Sequence, residues 1–215
     1  MKMPKCLRLW YTNYIICIER GIINMIDNFL TNSFSSTKKR IMIKSLISLG
    51  IIAMAVVSPM IFHMAFGASS GVKFLPMYLP VLLGGIILGV KYGVAVGVLS
   101  PLVSYLITSL YGSPMPALAR LPFMMVELGV FGLVSGMFAN KIFKNSLYII
   151  PAVVLAFVIG RGSFLGLVAL FGKYTNLSFD MVLKQVLAGY PGMLILFTVC
   201  PLISLLLKKL LKSAK

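Results

Sequence analysis

The chain has 215 residues, of which 60% are hydrophobic and 11% are charged, and its mean hydropathy is +1.01. This composition excludes an ordinary soluble domain and indicates a polytopic membrane protein, because each spanning helix needs ~20 mostly apolar residues. The formal net charge of +16 does not indicate nucleic-acid binding. The basic residues fall mainly in short connectors between apolar runs, where they orient membrane helices. We therefore expect the lipid bilayer, and no nucleic acid, as a partner.

Signatures of enzymes and metal sites are missing from the sequence. The cysteines Cys6, Cys17 and Cys200 form no CxxC pair, and His63 is the only histidine. Residues 166–173 approach a phosphate-binding loop but have one residue too many between the glycines and lack the final Ser or Thr. No paired carboxylates, HExxH or GxSxG motif occurs. We expect no catalytic residue, cofactor or metal, so any ATP would be bound by another subunit.

Residues 1–40 differ in composition from the rest of the chain. Aromatic and aliphatic residues alternate there with charged ones such as Arg8, Glu19 and Asp27. This mixture suits an interfacial amphipathic helix or a poorly ordered leader, and Met42 is an alternative start of translation. We treat 1–40 as an N-terminal extension and 41–215 as the membrane domain.

The apolar runs predict six transmembrane helices in an all-α bundle. Pro59 should kink the first helix, and Pro191 and Pro201 should interrupt the last. A very tight turn at Lys91-Tyr92-Gly93 separates the second and third helices, and 140–145 form a basic connector after the fourth. The six helices are expected at 45–66, 76–89, 94–110, 122–139, 148–171 and 181–207.

The distribution of basic residues predicts the orientation of the bundle. Basic residues precede the first helix at 38–44 and end the chain at 208–215. On this layout the opposite side holds only Lys73, Arg120, Lys173 and Lys184. The positive-inside rule therefore places both termini in the cytoplasm.

Small residues recur at every fourth position across the second and third helices, at Gly85, Gly89, Gly93 and Gly97. In membranes this spacing lets helix backbones approach closely. We interpret the repeat as helix packing and not as a ligand contact.

Glu127 is the only acidic residue in the main apolar region. A charge at the centre of a membrane helix costs about 3 kcal/mol on insertion scales, so it normally faces a cavity or a partner. Arg161 lies near the middle of the fifth helix between two glycines, and Arg120 lies two helical turns before Glu127. Two interpretations remain open: Glu127 and Arg161 form a buried ion pair, or at least one of them contacts a ligand.

Further candidates for ligand contact fall towards the outer half of the predicted bundle. They include His63, Tyr78, Thr108 and Asn176, with Tyr105, Gln185 and Tyr190 at the same level. The alternatives are structural, since aromatic side chains at this depth also anchor helices at the membrane interface. A lone histidine at a helix end is often only hydrogen-bonded.

Three segments together resemble the substrate-binding S components of energy-coupling factor (ECF) vitamin transporters. They are FLPMYLPVLLGGIILGVKYG at 74–93, LSPLVS at 99–104 and LPFMMVEL at 121–128. The resemblance extends over about 41–212 and leaves the first forty residues unmatched. The small-residue AxxxA pattern of the family's first helix is not met strictly here, which leaves the docking face open.

The resemblance implies a six-helix protein of the bacterial cell membrane that binds a vitamin or vitamin precursor near its outer face. The loop at 67–74 would act as a gate. Its partners would be a transmembrane coupling subunit and two ATPase subunits. The alternatives are a structural or assembly membrane protein without a small-molecule ligand, and a stand-alone secondary transporter, although the chain shows no inverted repeat.

Overall fold

The computed structural model describes residues 37–67, 73–112, 115–172 and 177–213. Within these ranges the regular structure is entirely helical. Most of the N-terminal extension, residues 68–72 of the expected gate and the candidate Asn176 lie outside the described residues. The α-helices are α1 (Thr37–Phe66), α2 (Tyr78–Leu88), α3 (Val90–Leu110), α4 (Leu121–Lys144), α5 (Ile149–Phe171), α6 (Phe179–Ala188) and α7 (Tyr190–Ser213).

The helices form a membrane bundle, and its described residues contain four or five candidate spans. Four segments are long and apolar enough to cross a bilayer: Ile41–Phe66, Val90–Leu110, Leu118–Ile142 and Ile149–Phe171. The bent pair of helices α6 and α7 is a fifth candidate span if the two helices are counted together. Helix α2 has only 11 residues, or about 16 Å, against a hydrocarbon core of ~30 Å. The multi-pass helical fold is confirmed, whereas six spans and the orientation stay predictions.

The boundary between the second and third helices lies earlier than the sequence suggested. The expected turn at 91–93 is wrong, because these residues belong to α3. The break falls at Gly89, which has φ 83° and ψ −174°, a conformation that glycine tolerates far better than other residues. Similarly, α4 continues to Lys144 through most of the expected connector at 140–145.

The last predicted helix is two helices. Helices α6 and α7 meet at an angle of 43°, and the break lies at Gly189, whose N–H is bonded to carbonyl oxygens of α6. Pro191 occupies the first turn of α7, where its missing N–H costs little. Interruption at Pro201 is wrong, since α7 continues through it, and α1 likewise continues through Pro59.

Helix α4 is at the centre of the bundle and packs against α2, α3 and α5. Glycines bring these backbones together. A Cβ atom on Gly93 of α3 would lie 2.6 Å from the carbonyl oxygen of Gly132 in α4. A Cβ on Gly85 of α2 would lie 2.7 Å from the same oxygen. The fourth-residue glycine repeat therefore serves close packing, as the sequence predicted, and it fixes α4 against both neighbours.

We expect Gly93→Ala to lower the melting temperature of the ligand-free protein in detergent. The new methyl group overlaps the Gly132 carbonyl group, and overpacking of this kind costs about 1–3 kcal/mol. Gly166→Ala in α5 is the matched control, since nothing lies within 4 Å of its added Cβ. The control should melt at or above the wild-type temperature, because alanine favours helix by up to about 1 kcal/mol. Equal melting of both variants would contradict this packing.

Candidate functional site: a cavity around a buried ion pair

A cavity of about 250 Å³ lies among the helices. Side chains from α1, α3, α4, α5 and α6 reach it, together with the segments 75–78 and 115–117. Most of its wall is apolar and includes Met77, Met115, Met124 and Phe164. The polar groups on the wall are His63, Tyr78, Ser104, Arg120, Glu127, Arg161 and Gln185. An apolar cavity with a few polar groups is typical of a small-molecule site.

Glu127 and Arg161 form an ion pair in the cavity wall. The Nη1 atom of Arg161 lies 3.1 Å from Oε1 of Glu127. The Glu127 side chain is fully buried and that of Arg161 is 16% exposed. Removing two charges from water costs free energy. Their mutual attraction offsets that cost only in part, unless further hydrogen bonds satisfy the remaining donors and acceptors. Glu127 has no such hydrogen bonds: neither carboxylate oxygen accepts an aligned hydrogen bond from the described part of the chain.

Tyr78 and two phenylalanines fix the position of Arg161. Its guanidinium carbon lies 5.0 Å from the centre of the Tyr78 ring, a cation–π contact. The Tyr78 ring meets Phe131 edge-on at 4.9 Å between ring centres, and Phe131 meets Phe157 at 5.0 Å. Tyr78 also interacts electrostatically with Glu127, without an aligned hydrogen bond to it. These contacts hold the charged pair within the aromatic core.

The glycine that precedes Arg161 has a specific packing role. A side chain on Gly160 would collide with the ring of Phe131 in α4. Because Gly160 lacks one, α5 approaches α4 closely enough for Arg161 to reach Glu127. Gly162, on the other side of Arg161, has open space around it. Of the two glycines flanking Arg161, only Gly160 allows a close helix approach.

Arg120 lies at the end of the 3₁₀ turn Leu118–Arg120, directly before α4. Its side chain lines the cavity and is partly buried. Seven residues separate it from Glu127, or about 10 Å along a helix at ~1.5 Å per residue. His63 from α1 and Gln185 from α6 complete the polar part of the wall. Arg120 and Glu127 therefore stand at different depths of one cavity.

Thr108 does not line the cavity but supports its wall. Its hydroxyl group donates to the Ser104 carbonyl oxygen at 2.7 Å and accepts from the Met115 N–H at 2.8 Å. The Ser104 hydroxyl group in turn donates to the Met115 carbonyl oxygen at 2.9 Å. These bonds attach the segment 115–117 to α3. The Thr108 hydroxyl group is thus used within the protein, and its expected contact with a ligand stays a prediction.

The structure brings together most of the residues singled out from the sequence. Glu127, Arg161, Arg120, His63 and Tyr78 line one cavity. Sequence reasoning missed Ser104 and the methionines of the wall, and it named Gln185 only among the further residues at the outer level. Ser104 gave a usable signal, since it ends the LSPLVS segment. Methionines in an apolar chain carry no such signal.

The fold and the cavity define a multi-pass membrane protein with a partly charged site between its helices. The family model for the ECF transporter substrate-specific component matches residues 39–206. The chain therefore belongs to this family of membrane transport subunits, and the resemblance seen in the sequence is confirmed. Members of this family provide substrate-specific binding for ECF transport. No curated protein and no solved structure matched the chain.

The ion pair predicts a stability effect that requires no ligand. Arg161→Ala leaves the buried Glu127 carboxylate without its counter-charge, which costs about 3–5 kcal/mol in comparable buried pairs. We expect a large fall in the melting temperature of the ligand-free protein.

The double variant Glu127→Gln with Arg161→Ala should recover part of that loss, because it removes the uncompensated charge. Melting curves of the two variants and the wild type, measured in the same detergent, test this. A double variant no more stable than Arg161→Ala alone would contradict a direct interaction between the two side chains.

Proposed function

We propose that this protein binds a vitamin or vitamin precursor with high affinity at the outer side of the bacterial cell membrane. It then delivers the compound into the cell as the S component of an ATP-driven ECF transporter. A transmembrane coupling subunit and two ATPase subunits are the proposed partners. In this assignment the protein itself is not an enzyme, and both of its termini lie in the cytoplasm after six spans.

The observation that carries the proposal is the state of Glu127. Its side chain is fully buried on the wall of a 250 Å³ cavity, yet its oxygens accept no aligned hydrogen bond from the described residues. Leaving a buried polar group unsatisfied costs about 1–3 kcal/mol or more. A ligand that donates to Glu127 would remove this cost. The ion pair with Arg161 neutralises the charge of Glu127. Its two carboxylate oxygens can still accept hydrogen bonds from a ligand.

The proposed substrate site consists of Glu127, Arg161 and Tyr78, with Arg120 and His63 on the same wall. These five residues line the same cavity, which supports the proposed set. Thr108 and Asn176 belong to the proposed site from their positions in the sequence. The segment 67–74 is proposed as the gate, and the residue that follows it, Leu75, lines the cavity.

The alternative functions predict different binding and transport behaviour. A structural or assembly protein needs no ligand, so the cavity would bind none. A secondary transporter would move substrate across liposomes without partner subunits. The S-component proposal requires binding by the isolated protein and transport only with the coupling and ATPase subunits.

We expect a vitamin-like small molecule to copurify with the detergent-extracted protein. Tight binding and a buried site keep such a ligand in place during purification. Native mass spectrometry followed by denaturation should release one dominant compound in near-stoichiometric amount. Purified protein that carries no small molecule, and that no vitamin stabilises against heat, would favour the structural alternative.

Glu127→Gln should weaken substrate binding about tenfold to hundredfold, because a charged acceptor becomes a neutral amide in the buried wall. Expression and membrane insertion should remain normal. Asp180→Asn is the control, since Asp180 is exposed in the first turn of α6 and is not one of the residues that line the cavity. Affinities can be compared by isothermal titration with the identified compound. Equal affinity in Glu127→Gln and wild type would exclude Glu127 from the site.

A further inference from the structure

The charges on the cavity wall do not balance. The described lining residues provide two guanidinium groups, of Arg120 and Arg161, and a single carboxylate, of Glu127. Arg161 is already paired with that carboxylate at 3.1 Å. Asp180, the other acid within the described ranges, is exposed and not part of the wall. Among the described residues, the cavity therefore carries one positive charge without a matching carboxylate.

That remaining charge belongs to Arg120. In the described part of the chain its guanidinium group has no ion pair and no side-chain hydrogen bond. The group is partly buried and faces the cavity. An arginine withdrawn from water in this way normally has an anionic partner, because its five N–H donors are matched by carboxylate or phosphate oxygens. None of the described residues on this wall is such a partner for Arg120.

Helix α4 adds to the same preference. Arg120 directly precedes its first residue, and the helix continues for 24 residues. The amino-terminal end of a helix carries a partial positive charge that favours anions. No side chain caps this end. The part of the cavity wall next to Arg120 is therefore electropositive, whereas the part next to Glu127 is neutral overall and rich in acceptor capacity.

We propose that the substrate is a water-soluble organic anion with a single acidic group at one end and a hydrogen-bond donor at the other. The acidic group, a carboxylate or a phosphate ester, pairs with Arg120. The donor, an N–H or O–H group, bonds to Glu127, about two helical turns further along the chain. An apolar or aromatic middle part contacts Met124 and Phe164. This inference rests on the proposed function and specifies the substrate class.

The position of Arg161 explains why it does not take the anion. Its charge is already matched by Glu127, and its flat face is covered by Tyr78. An anion next to Arg161 would also lie close to the Glu127 carboxylate and be repelled by it. The two arginines are therefore not equivalent: Arg161 holds the acceptor in place, and Arg120 selects the charge of the ligand.

The test uses the dialysable small-molecule fraction of yeast extract, divided on an anion-exchange resin at neutral pH. Purified, ligand-stripped protein is melted in non-ionic detergent with either the retained anions or the unretained compounds. We expect the retained fraction to raise the melting temperature and the unretained fraction not to do so. A separate sample receives phosphatidylglycerol in mixed micelles, which tests a lipid phosphate as the source of the anion.

Three results would overturn the inference in different ways. Stabilisation by the unretained fraction alone would leave the proposed function intact and disprove an anionic substrate. Stabilisation by phosphatidylglycerol alone would assign Arg120 to lipid. Stabilisation by no fraction would contradict the proposed function itself, and the inference would fall with it.

Variants then connect the charge preference to Arg120. Arg120→Gln should weaken binding of the retained fraction about tenfold to hundredfold, and Arg120→Lys should restore part of the loss. Lys184→Gln is the matched control, because it removes one exposed positive charge of α6 without touching the cavity wall. The ligand-free melting temperature of Arg120→Gln should match the wild type, since the Arg120 side chain has no ion pair or hydrogen bond with the described residues. Equal binding by Arg120→Gln and Lys184→Gln would exclude Arg120 as the anion contact.

Discussion

The central constraint on this structure is the placement of a carboxylate in an apolar interior. Glu127 is fully buried, and its charge is acceptable there only because Arg161 lies 3.1 Å away. That pairing requires α4 and α5 to approach closely, which the missing side chain of Gly160 permits. It also requires the guanidinium group to be held from a second direction, by the ring of Tyr78. The aromatic core and the glycine contacts are thus arranged around one ion pair.

A buried ion pair is weak support for stability by itself, because desolvation offsets much of the Coulomb attraction. In this molecule the pair borders a cavity, and its acceptor capacity is incomplete. Arg161 offsets the charge of Glu127, but no aligned hydrogen bond from Arg161 reaches the carboxylate oxygens. Such a pair suits a binding site, since a ligand donor adds stabilisation that the empty protein lacks. The positive charge of Arg120, which no described carboxylate neutralises, gives the site a second, electrostatic basis for selecting its ligand.

Much of the fold and part of the site could be predicted from the sequence. Hydropathy identified the membrane class, and the rarity of charges in apolar runs identified Glu127 and Arg161. Helix boundaries were less predictable, because they depend on single backbone conformations such as the positive φ of Gly89. The role of Thr108 could not be predicted either. Its hydroxyl group bonds to the backbone near Met115, and only tertiary structure shows that a polar side chain is already satisfied.

An experimental density map of the protein saturated with yeast-extract metabolites would test the central claim most directly. We predict density for a small molecule in the cavity, in contact with the Glu127 carboxylate on its inner side. The ion pair of Glu127 with Arg161 should persist beside it. A map in which the saturated protein shows an empty cavity, or a ligand bound elsewhere, would contradict the account.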